Sequence, residues 1–114
     1  MSTMKNSVQL IGRPGSEPEV KMISNTQKIA RFNLAVNQTR TNANKERVDE
    51  TQWFTIVAWN KNAERVQKVV RKGKQVAIEG TLRNNDWEDK NGMKHYSTEI
   101  VLDDLFVIDW EDKN

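Results

Sequence analysis

The sequence has 114 residues and a formal net charge of +2. It combines 36% apolar with 30% charged residues at a mean hydropathy of −0.81, which allows one small core under a strongly polar surface and not two. With no cysteine and a single histidine, His95, disulfides and thiolate or polyhistidine metal sites are excluded, so no cofactor and no metal are expected.

No stretch nears the ~20 apolar residues that span a bilayer, and Met1 to Asn6 opens no signal-like apolar run. A cytoplasmic protein with no membrane partner is expected. Charge is unevenly placed. Asp103, Asp104, Asp109, Glu111 and Asp112 crowd the last twelve positions, leaving residues 1–102 with 17 basic against 11 acidic groups. A basic body followed by an acidic end suits a polyanion binder. The expected division is a binding domain over residues 1–108 and a short acidic end over 109–114.

In chain order, Val8, Leu10 and Gly12 define a first strand, broken by Arg13-Pro14-Gly15-Ser16-Glu17-Pro18. Glu19 to Ile23 reads as its continuation. Ser24-Asn25-Thr26 turns into Lys28 to Gln38, where Ala30, Phe32, Leu34 and Val36 alternate with Arg31, Asn33 and Asn37 as in a half-buried strand. Thr39 to Glu50 is polar without periodicity and is expected to be a mobile hairpin loop. Glu50 to Trp59 is a third strand with Phe54, Ile56 and Ala58 on one face and Trp53, Thr55, Val57 and Trp59 on the other.

Ala63, Val66, Val69 and Val70 then switch to helical spacing, with Asn60 or Asn62 as N-cap and Gly73 as C-cap. Lys74 to Arg83 returns to alternation. Asn91-Gly92 signals a hairpin turn into His95 to Leu102, and Leu105 to Ile108 forms a last apolar run. The plan is all-β: five strands with one helix between strands 3 and 4, as in the OB-fold, a five-stranded Greek-key barrel.

If Phe54, Ile56 and Ala58 fill the barrel, Trp53 and Trp59 point outward. Trp87 shares a face with Thr81, Arg83 and Asn85 near a polar hairpin tip, where an indole has little to pack against. Exposed indoles are stacking platforms for unpaired bases, because every base offers a π-face. Capping the core or filling an oligomer interface is the other role open to them. Trp110 lies among acidic residues that repel phosphate and is not a stacking candidate. Arg31, Lys61, Lys72, Lys74 and Arg83 lie on or beside the tryptophan face, as phosphate contacts taken together or as ordinary solvated surface taken singly.

From about Lys5 to Ile108 the sequence resembles the bacterial single-stranded DNA-binding protein (SSB) family. The resemblance rests on Asn6-Ser7-Val8-Gln9-Leu10-Ile11-Gly12, Pro18-Glu19-Val20-Lys21, Phe32-Asn33-Leu34-Ala35-Val36, Thr51-Gln52-Trp53-Phe54 and Ala63-Glu64. It continues through Arg71-Lys72-Gly73-Lys74-Gln75-Val76-Ala77-Ile78-Glu79-Gly80-Thr81-Leu82-Arg83, Trp87 and Tyr96-Ser97-Thr98-Glu99-Ile100. The resemblance implies an OB-fold, a homotetramer, and single-stranded DNA wrapped over aromatic residues during replication, recombination and repair. It places Trp53, Trp59 and Trp87 at stacking positions, and Lys21, Lys61, Lys72 and Arg83 at phosphate positions. Where some members have a further stacking tryptophan this chain has Arg40, whose planar guanidinium can also stack. The family usually ends in a long tail with an acidic, Phe-tipped peptide that recruits replication and repair proteins. This sequence ends at Glu111-Asp112-Lys113-Asn114, a departure from that pattern that leaves recruitment of replication and repair proteins open.

Three other readings compete. A metal-dependent nuclease would need ligand-like spacing, and Asp86, Glu88 and Asp89 sit instead in a pattern of solvated turns. Another OB module, primosomal or RNA-binding, would use the same stacking, since only 2′-hydroxyl contacts discriminate. A purely structural oligomer subunit would bury its indoles in interfaces. The residues favour a non-enzymatic binder of single-stranded DNA.

Overall fold

Long antiparallel strands dominate residues 5–108, which are the residues described by the computed structural model. The elements are β1 (Val8–Pro14), β2 (Glu19–Met22), β3 (Lys28–Thr41), β4 (Arg47–Trp59), α1 (Lys61–Val69), β5 (Val76–Glu88) and β6 (Lys94–Val107). Trp110 and the acidic end read over 109–114 lie outside the described residues.

Hydrogen-bonded neighbours run β1-β5-β6-β4-β3-β2, and β1 also pairs with β3, which closes the sheet into a barrel. Closure happens where β1 leaves β5: Val8 to Gly12 pair with β5, whereas Arg13 and Pro14 pair with Ala35 and Leu34 of β3. Gly12 permits that crossing, because a Cβ there would lie 2.2 Å from the carbonyl oxygen of Ala35. β2 then pairs with β3 further along, Glu19 opposite Arg31, so β1 and β2 lie end to end as one interrupted stave. Counted that way, five strands close the barrel, and α1 is the one helix among the described residues.

Alternation decides what fills it. Ala30, Phe32, Leu34 and Val36 of β3 meet Ile56 and Ala58 of β4, Val76 and Ile78 of β5, and Ile100, Leu102 and Leu105 of β6 in one buried cluster. Leu105 therefore belongs to β6. A register shift between Glu79 and Gly80 moves the pairing from Asp104 to Leu102, which bends the strand pair. α1 packs Ala63 and Val66 into the same cluster and touches β3, β4 and β6.

Three local expectations need correction. Thr39 to Glu50 is mostly strand, because cross-strand polar pairs hold it: Thr39 Oγ1 donates to Asp49 at 3.0 Å and Thr51 Oγ1 to Asn37 at 2.9 Å. The hairpin runs to a loop over 42–46, a polar ribbon with no apolar stripe to betray it. The helix caps also differ. Asn60 makes no side-chain cap, its Oδ1 instead accepting the Lys28 amide at 3.0 Å, and Asn62 Nδ2 donates to the Leu102 carbonyl at 3.1 Å. The C-cap is extended Val70, and Gly73, at φ 80°, serves the turn that follows.

Both long hairpins end in the same five-residue loop. Asn42 Oδ1 accepts the amides of Asn44 and Glu46, and Asp89 Oδ1 accepts those of Asn91 and Met93, all at 2.9 Å. The fourth loop residue takes positive φ, Lys45 at 64° and Gly92 at 80°. Glycine meets that demand at no steric cost, and Lys45 does not.

Candidate nucleic-acid interface

The registers lay out one continuous outer face. Trp59 stands opposite Ile29, which is next to Lys21 of β2; Val57 stands opposite Arg31, Thr55 opposite Asn33, and Trp53 opposite Ala35. The parallel pair Val57 and Val101 carries the face onto β6. Across β6 the pairs Glu99 with Arg83, Ser97 with Asn85 and His95 with Trp87 extend it to the far hairpin. Trp53 and Trp87 are 59% and 51% exposed, whereas Trp59 is half-buried at the end of β4.

Trp53 is held by a glycine. A Cβ on Gly15 would come within 2.7 Å of the six-membered ring of Trp53, so the indole lies directly over this residue of the β1–β2 connection. The end of β1 and this connection bind the turn after α1. Gly73 N–H donates to the Pro14 carbonyl at 2.9 Å, the Lys72 amide donates to Glu17 Oε2 at 3.1 Å, and Arg13 donates to the Gly73 carbonyl at 2.7 Å. Lys72 and Trp53 thus lean on one loop from two sides. Lys72 is exposed and Lys74 half-buried.

At the other end Trp87 stacks on His95, ring centroids 4.2 Å apart and planes inclined by 14°. His95 Nε2 is 2.9 Å from Asp89 Oδ2. The Asp89 carboxyl is held below its usual range, first by His95 and then by the Met93 and Asn91 amides, so it stays anionic and accepts. Nε2 therefore carries the proton.

The centre of the face is polar and organised. Glu99 is only 5% exposed, and its Oε2 accepts from Arg31 at 2.7 Å and from Asn85 Nδ2 at 3.3 Å. A carboxylate buried this deeply is tolerable because it is paired and hydrogen-bonded. Arg31 is thus partly committed to its own protein, although its side chain stays 44% exposed. Beneath the pair Val57 is buried despite its outward parity, sited between Arg31 and Val101.

Of the residues singled out in the sequence, Trp53, Trp59, Trp87, Lys21, Arg31 and Arg83 share this face. Lys61 opens α1 directly after it and is exposed. Arg40 does not join them. Its even position in an unbroken register places it on the opposite side of the ribbon from Trp53, where Nε pairs with Glu50 at 2.9 Å. Gly15, Glu99, Asn85 and His95 went unnoticed as site residues. None of the four had a usable local signal, since counting across an Asn91-Gly92 turn sets Trp87 opposite Tyr96 and not His95.

The described residues include no helix long and apolar enough to cross a membrane, and no cluster of three carboxylate or imidazole side chains suited to a metal. A model of the single-strand binding protein family matches residues 5–108. The chain is 37% identical over 108 residues to single-stranded DNA-binding protein 1 of Chlorobaculum tepidum, covering 94% of this chain and 67% of that protein. In structure it is similar to a Plasmodium falciparum SSB solved in complex with ssDNA, at a TM-score of 0.86 and 33% identity, covering 96% of this chain and 99% of the other. The closed barrel, its outward indoles and these likenesses together show that the chain belongs to the single-strand binding protein family.

Proposed function

We propose that this protein binds single-stranded DNA with little sequence preference, coating and protecting it during replication, recombination and repair, and catalyses nothing. The observation that carries the reading is the pair of exposed indoles, Trp53 and Trp87, on one sheet face with basic residues at its margins. Phosphates are drawn to Lys21, Lys61, Lys72, Lys74 and Arg83, counterions leave, and bases stack on Trp53 and Trp87, with half-buried Trp59 offering an edge beside Lys21. Arg31 contributes through the part of its guanidinium that Glu99 leaves open. The Plasmodium falciparum neighbour, solved with ssDNA, supports the choice of ligand.

The finer form of the fold that goes with this reading is the Greek-key OB-fold, with the helix between the third and fourth of five strands. A homotetramer in the cytoplasm accompanies it. Ile11, Ala77 and Phe106 support that assembly: they lie in one register row on β1, β5 and β6, far along β5 from Trp87, and Ile11 and Phe106 are exposed.

Competition decides the function. Labelled oligo-dT bound to the protein is expected to be displaced by unlabelled single strand of mixed sequence and barely by duplex of equal length. Equal displacement by duplex would refute it.

A further inference from the structure

The tip of the β5–β6 hairpin contains a layered arrangement of three side chains. Asp89 uses both carboxylate oxygens: Oδ1 takes the Asn91 and Met93 amides at 2.9 Å each, which fixes the loop, and Oδ2 takes His95 at 2.9 Å. Its hydrogen bond to a loop-anchored carboxylate tethers the imidazole toward Asp89. In that orientation it lies against the Trp87 indole at 4.2 Å. One face of Trp87 is therefore covered by a ring of its own chain, while the residue as a whole remains half exposed.

An indole on a polar two-stranded ribbon would otherwise rotate freely and lose that freedom on meeting a base. Stacking a tethered imidazole beneath it meets this cost before the ligand arrives. We propose that His95 is a positioning residue. With Asp89 it holds the Trp87 indole ready, so that a nucleobase becomes the outer layer of a base, Trp87, His95 stack. This rests on the single-stranded DNA reading and adds to it the means by which one platform is held. Trp53 is held differently, by Gly15.

The test measures oligo-dT affinity for the full chain and for His95→Ala, His95→Phe, Trp87→Ala and the His95→Ala, Trp87→Ala double variant. His95→Ala is expected to weaken binding about three- to tenfold. His95→Phe, which restores a flat ring without the hydrogen bond to Asp89, is expected to recover part of that loss. Without Trp87, His95→Ala is expected to cost less than about twofold, since its effect passes through the indole. Equal losses in His95→Ala and His95→Phe, or full additivity in the double variant, would overturn the proposal. Unchanged binding by His95→Ala would overturn it alone, whereas an unmodified chain that fails to bind oligo-dT would remove the single-strand reading as well.

Discussion

Trp53→Ala is expected to weaken oligo-dT binding by about 1–3 kcal/mol, roughly 5- to 150-fold, with the thermal midpoint little changed. The indole is 59% exposed, so its loss leaves no core cavity. Trp87→Ala should act similarly, and the two together should lose nearly the sum, because they stand at opposite ends of the face on different strands. Gly15→Ala offers a milder version: a methyl placed 2.7 Å from the indole must displace it while leaving it present. Its affinity should fall between those of the unmodified protein and Trp53→Ala. Titration by fluorescence anisotropy measures all four, and unchanged affinity in both tryptophan variants would remove stacking from the account.

The second large effect is salt. Each phosphate neutralised on a single strand contributes about −0.7 to the slope of log affinity against log salt. Engaging about four of Lys21, Lys61, Lys72, Lys74 and Arg83 gives a slope near −3, a loss of roughly 50-fold between 50 and 200 mM salt. Lys72→Ala should make the slope shallower by about 0.7, because its turn is fastened to the loop under Trp53. A slope that stays the same would place Lys72 outside the bound strand's path.

Period-two patterning revealed the barrel wherever one strand face is buried. Ala30 to Val36 and Phe54 to Ala58 could be read because burial forces alternation. It failed in the ribbon around Arg40, where both faces meet water and the backbone ladder is supported by polar pairs such as Thr39 with Asp49 rather than by a buried face. The Trp87 stack was hidden by the turn itself. Asn91-Gly92 suggests a two-residue turn, which would set Trp87 opposite Tyr96. The loop instead spans 89–93 and sets it opposite His95. One residue of register separates an indole beside tyrosine from one stacked on imidazole. Glu99 was hidden for another reason: nothing local marks a glutamate as buried when its partners, Arg31 and Asn85, come from other strands.

The most direct test of base stacking on exposed tryptophans is intrinsic fluorescence during titration with oligo-dT, with duplex as control, at low and high salt. Deep quenching by the single strand, absent with duplex and weakened by salt, is the expected result. Unchanged emission at an oligo-dT concentration shown by anisotropy to be saturating would contradict it, because the strand would then be bound without touching Trp53, Trp59 or Trp87.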